Sequence, residues 1–129
     1  MDKTVAEKLF IKPGTTVWSS GHPELLEPLP AGAKHVGKFT DANTAVLFAP
    51  NSEALRGLLE EHQKHLDKAK LLWIAYPKGN KADINRDTVW PMVGEYGMRP
   101  CGQVAVDQKW SALRFRSLAE GEPPFTGGR

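Results

Sequence analysis

Side chains able to hold an anion or move a proton gather in three short stretches of the sequence, Ser19-Ser20-Gly21-His22, Pro50-Asn51 and Pro77-Lys78, and in one strand-like run containing Trp110 and Arg114. Ser20 and His22 offer a hydroxyl and an imidazole, Asn51 an amide, and Lys78 a cation that can face a carboxylate or phosphate. The competing reading is ordinary loop and cap chemistry, with a solvated lysine at a strand end. Ser19 or Ser20 with His22 makes a poor nucleophile and base, because residues two or three apart in a tight turn seldom align and no third orienting group follows. His62 and His65 stand three apart, but no further His, Cys or carboxylate completes a standard metal site. We read His62 as bordering the core and His65 as solvated. In an extended chain Trp110, Arg114 and Arg116 share one face, with Asp107 near the turn and Leu113 and Phe115 on the other face. Trp110 then either stacks on a ligand whose anion the arginines hold, or packs over a helix while Arg114 pairs with Asp107 or Asp87. The candidate ligand-binding set is Ser20, Gly21, His22, Asn51, Pro77, Lys78, Trp110 and Arg114, with no catalytic residue, metal set or cofactor assigned.

Those stretches need elements to position them. Leu71-Leu72-Trp73-Ile74-Ala75-Tyr76 is a run of apolar and aromatic residues that stops at Pro77-Lys78-Gly79, the pattern of a strand buried on both faces. Thr44-Ala45-Val46-Leu47-Phe48-Ala49 is a second such strand, closed by Pro50-Asn51. Between them Leu55, Leu58, Leu59, His62 and Leu66 recur at helical spacing, so a helix is predicted over about 52–66 with Ser52 as its cap. Strand, helix and strand make a parallel βαβ unit. Upstream, residues 4–10 suit a short helix capped by Thr4, with Val5, Leu9 and Phe10 inward. A strand at 15–18, a helical turn at 24–26 and a short strand within 34–39 follow. Downstream, 80–85 reads as a loop and 86–96 as a helix with Asn85 as cap, Pro91 awkward inside it and Gly97 after its end. Residues 103–106 and 110–116 flank Asp107-Gln108-Lys109 as an antiparallel hairpin. The expectation is one α/β domain over 1–116 and a mobile tail over 117–129.

Composition sets further bounds. With 129 residues, 40% hydrophobic and 25% charged, the chain suits one soluble globular domain. A net charge of +2, with basic residues spread out, argues against nucleic acid as the main partner, because phosphate binding needs several cations on one face. The single cysteine, Cys101, rules out an internal disulfide; we read it as a small buried side chain in a reducing, cytoplasmic protein. No run approaches membrane-spanning length, and the charged N-terminal residues do not suggest an export signal.

The order of elements resembles the second half of a Rossmann-type methyltransferase sheet. Lys12-Pro13-Gly14, Pro77-Lys78, Asn85-Arg86-Asp87 and Trp110-Ser111-Ala112-Leu113-Arg114-Phe115 further resemble a family of small bacterial proteins of unknown function, over about 6–116. The resemblance implies a truncated, mostly parallel Rossmann-like sheet of about six strands with a C-terminal antiparallel hairpin. Methyltransferases of this fold resemble one another in a glycine-rich loop after the first strand and an acidic residue ending the second, which hold S-adenosylmethionine. Here the first loop carries one glycine, followed by His22 and Pro23, and after Glu27 the next segment's only carboxylate is Asp41. The leading expectation is therefore a non-catalytic module binding a small ligand or protein partner. A methyltransferase-like enzyme using the crevice at the carboxyl ends of the strands is the alternative, and self-association through the hairpin edge a third reading.

Overall fold

Thr4 opens the first helix, α1 (Val5–Lys8), with a reciprocal capping box: its hydroxyl accepts from the Glu7 amide at 3.1 Å while the Glu7 carboxylate accepts from the Thr4 amide at 3.1 Å. The computed structural model describes residues 4–65, 71–78, 84, 86–96 and 98–117. At its far end α1 closes in a Schellman turn. The Ile11 amide donates to the Ala6 carbonyl at 3.0 Å, the Phe10 amide donates to that of Glu7 at 3.1 Å, and Phe10 takes φ 59°. This left-handed residue corrects the expected inward side. Ala6, Leu9 and Ile11 are buried, whereas Phe10 is turned out and 44% exposed.

Strand β1 (Thr16–Ser19) is held at its start by Asn43, whose Oδ1 accepts from the Thr16 amide at 3.0 Å. Beyond it His22, at φ 49°, leads into a 3-10 turn over Pro23–Leu26 that buries Leu26. Strand β2 (Lys34–His35) has only two residues. It lies within the 34–39 segment expected to supply a short strand, whose end, Phe39, turns into the core within a 3-10 turn, Phe39–Asp41. All five residues of β3 (Thr44–Phe48) are buried. Helix α2 (Ser52–His62) is capped by Asn51, whose Oδ1 accepts from the Ala54 amide at 2.7 Å. The expected cap, Ser52, already lies in the helix, because Asn51 is the last extended residue. Leu66, expected in this helix, lies outside the described residues.

Strand β4 (Leu71–Pro77) is buried from Leu72 to Tyr76, as its apolar run requires. Helix α3 (Arg86–Gly94) carries Pro91 in its interior. The expected cap Asn85, the glycine Gly97 and most of the 80–85 loop lie outside the described residues. Strand β5 (Met98–Ala105) begins before the expected Gln103, and β6 (Trp110–Ser117) completes the hairpin. Asp107 fixes the turn, its Oδ1 accepting from the amides of Lys109 at 2.8 Å and Trp110 at 2.7 Å. Cys101, expected to be buried, is exposed: it sits at a register shift between Pro100 and Gly102 in an edge strand. The tail expected over 117–129 lies, beyond Ser117, outside the described residues.

The six strands run β2-β1-β3-β4-β6-β5; the first four are parallel, and β6 and β5 are each antiparallel to their neighbours. This is a mixed α/β, Rossmann-like sheet. Alternation along the strands feeds two cores. Leu47, Ile74, Leu113 and Phe115 pack under α2 and α3, while Val46, Trp73, Ala112 and Trp110 pack under α1 and the Pro23–Leu26 turn. Trp73 anchors α1 directly, its indole N–H donating to the Leu9 carbonyl at 3.1 Å.

Candidate functional site

Strand order reverses between β1 and β3, since the chain passes from β1 to β2 on one side and from β3 to β4 on the other. In parallel sheets the crevice beyond the carboxyl ends at such a point is the usual ligand position. The loops after β1, β3 and β4 leave the sheet at this end, where the rings of His22, Phe48 and Trp110 meet and Trp110 lies opposite Pro77.

Most of this chemistry is already engaged within the protein. Ser20 extends the pairing of β1 with β3: its amide donates to the Val46 carbonyl at 3.0 Å, and its hydroxyl accepts from the Phe48 amide at 2.7 Å. Its oxygen therefore satisfies a strand end and is not presented as a nucleophile. Gly21 has open space where a Cβ would stand, so no neighbouring protein atom demands a glycine there. The His22 ring lies 5.3 Å from that of Phe48 and 5.4 Å from that of Trp110, which are themselves edge to face at 5.2 Å. Glu24 Oε2 stands 3.5 Å from His22 Nδ1. Asn51 uses its carbonyl oxygen as the α2 cap.

Trp110 is 4% exposed, opposite Pro77 in the β4–β6 register. It is packed as the bland reading expected, but over the His22 loop and Phe48 in place of a helix. Lys109 Nζ lies 5.7 Å from its ring centre, and the Lys109 carbonyl accepts from the Lys78 amide at 2.9 Å, which sets the Lys78 backbone beside the hairpin turn. Arg114 does not join them. It lies opposite Trp73, four residues down the strand from Trp110 and so about 13 Å away. Its guanidinium rests 5.6 Å over the Phe10 ring, and Asp107, one of its two expected partners, is committed to the hairpin turn; the side chain of the other, Asp87, lies outside what the structure describes.

The histidine pair also resolves into distinct environments. His62 is stacked on Phe39 with ring centres 4.8 Å apart and meets Trp18 edge-on at 4.9 Å. Burial lowers its pKa below the ordinary value, Glu61 partly opposing the effect and His65 adding to it. Its Nε2 is buried without a hydrogen-bond partner; Glu61 Oε2, 3.4 Å away, is within ion-pair reach but not in hydrogen-bond geometry. His65 is half-buried, not solvated, with a buried Nδ1. No group of three or more His, Cys, Asp or Glu side chains among the described residues is arranged to hold a metal ion. Nor is any helix among them long and apolar enough to cross a membrane.

Phe48 is the member of the crevice that sequence reasoning missed. As the last residue of a buried strand it signalled core; only its contacts with His22 and Trp110 tie it to the loop after β1.

The fold has solved counterparts. A protein of the NADB-Rossmann superfamily from Streptococcus agalactiae superposes with a TM-score of 0.61 at 9% identity, over 98% of this chain and 72% of that one. A putative tRNA (m1A22) methyltransferase from Streptococcus pneumoniae, in complex with S-adenosyl-L-methionine, gives 0.59 at 10% identity over 98% and 76%. The m1A22 tRNA methyltransferase of B. subtilis gives 0.53 at 12% identity over 88% and 64%. At such identities the likeness is one of fold, and that fold is Rossmann-like and methyltransferase-like. No family model and no curated protein sequence matches the chain.

Proposed function

We propose that this chain is a non-catalytic binding module on a degenerate methyltransferase-like fold. One observation supports the reading: the loop after β1, at the end of the sheet where this fold takes its ligand, carries the His22 ring packed against Phe48 and Trp110, where a glycine loop would leave open space. The Ser20 hydroxyl and the Asn51 side-chain carbonyl support it, because each already accepts from a backbone amide. In this reading His22, Lys78 and Lys109 form a small cationic and aromatic rim suited to an anionic small ligand or an acidic segment of a protein partner. The module works in the cytoplasm, and nucleic acid is not its main partner.

The second reading, a methyltransferase-like enzyme using the same crevice, is favoured by the likeness to a neighbour solved with S-adenosyl-L-methionine. Isothermal titration and thermal unfolding of the full chain with S-adenosylmethionine and with nucleotides separate the two. A ligand present at 100 times its Kd stabilises by about 2.7 kcal/mol, which raises Tm by several degrees. We expect no saturable heat and no rise in Tm with S-adenosylmethionine. Micromolar binding overturns the non-catalytic reading and leaves the enzyme standing.

A further inference from the structure

We infer that the opposite end of the sheet, at the amino termini of β1, β3 and β4, holds a small-molecule site for a single-ring aromatic carboxylate. This site is independent of whether the carboxyl-end crevice is open.

Phe10 is the first observation. The position after the cap of a Schellman turn is normally glycine, because a side chain in the left-handed region costs about 1–2 kcal/mol. The chain places a phenyl ring there, at φ 59°, and leaves it 44% exposed. Strain of this kind concentrates where a side chain must be held in a particular place. The Phe10 ring lies 6.2 Å from that of Trp73, which is 1% exposed, so one face of Phe10 packs on the core while the ring keeps 44% of its surface open. The Arg114 guanidinium, 5.6 Å over the same ring and with a buried, unpartnered Nε, adds a positive charge behind it.

The second observation is the space that Phe10 walls. A cavity of about 170 Å³ is lined by Phe10, Lys12, Thr15, Asn43, Thr44 and Leu71. An apolar cavity of about 150 Å³ accepts one benzene ring, so this one fits a single ring with a small substituent. Its lining is a phenylalanine, a leucine, two threonines, an asparagine and a lysine, with no carboxylate among the described residues.

The third is the polar equipment at the rim. Lys12 is exposed, and its backbone is pinned by Thr15, whose hydroxyl donates to the Lys12 carbonyl at 2.6 Å. Asn43 spends its side-chain oxygen on the Thr16 amide, which leaves its NH2 group without a partner among the described residues. Among the described residues, one cation and one amide donor beside an apolar slot of ring size complement a carboxylate carried on an aromatic ring.

The test is an amide-resolved NMR titration of the full chain with benzoate, with its uncharged isostere benzamide and with acetate. We expect benzoate to shift the amides of Thr15, Thr44 and Leu71 saturably, benzamide to bind roughly fivefold more weakly, and acetate not to saturate. Lys12→Gln should reduce benzoate to the level of benzamide and leave benzamide unchanged. Phe10→Gly, which suits the left-handed backbone and therefore folds, should weaken both ring ligands. Shifts that do not saturate, that map elsewhere, or a benzoate preference that survives Lys12→Gln would overturn the proposal. Because S-adenosylmethionine is tested separately, failure here is distinguishable from failure at the crevice.

Discussion

Acidification should destabilise this protein through His62, by an amount that a single substitution isolates. The ring is sandwiched by Phe39 at 4.8 Å and Trp18 at 4.9 Å, and its buried Nε2 has no hydrogen-bond acceptor, so a proton there has poor company. The charged groups facing it are Glu61, an exposed carboxylate 3.4 Å away, and His65. Its folded pKa is lowered from 6.5. Above that value both folded and unfolded chains hold the ring neutral and the group contributes no pH dependence. Below it the unfolded chain binds the proton more readily, so stability falls as pH drops, until the folded pKa is passed. One proton limits the slope to about 1.4 kcal/mol per pH unit. Urea unfolding followed by tryptophan fluorescence, from about pH 7.5 down to about pH 5, should show the native chain losing more stability than His62→Phe, which keeps the stack and removes the titration. The excess loss should begin near pH 6.5 and rise no faster than that limit. Parallel curves for the two proteins would show that burial of His62 does not suppress its protonation.

Two substitutions test whether the crevice side chains are structural. Ser20→Ala should destabilise by about 1–3 kcal/mol in urea unfolding, because the Phe48 amide loses its acceptor at the end of a buried strand; a neutral result would mean that water replaces the hydroxyl and that Ser20 is free for other work. Asn51→Ala should cost about 0.5–2 kcal/mol, the usual range for an N-cap, and Asn51→Asp should recover most of it. An amide needed only by a ligand would give no such recovery.

Legibility in the sequence followed the range over which each signal acts. The apolar runs of β3 and β4, the helical period of α2 and the polar turn of the hairpin are local, and each marked its element. Position within an element was less legible. Asn51 and Ser52 are both good caps, and only the extended backbone of Asn51 decides between them. Phe39 reads as strand until the core claims it from within a turn. For the site, strand order was enough to bring the loops after β1, β3 and β4 together. That Ser20 bonds to Phe48, 28 residues away, depends on the β1–β3 register, which no local pattern carries. The Trp110 and Arg114 pairing failed for a related reason: alternation assigns a face correctly but is silent about position along the strand. Phe10 gave no warning, because nothing in Lys8-Leu9-Phe10 marks a left-handed residue.

Both margins of the sheet bear on how anything can recognise it. One margin is the two-residue β2; the other, β5, carries Pro100 and the irregularity at Cys101. A short strand gives an incoming peptide little backbone to pair with, and a proline with a bulge interrupts the ladder on the other side. Recognition by strand addition, in which an extended segment joins the sheet through main-chain hydrogen bonds, therefore has no good template here. Self-association through the hairpin edge loses its simplest route for the same reason. The two margins of the sheet thus offer little main-chain template, and the exposed chemistry of this fold lies in the loops at the ends of its strands.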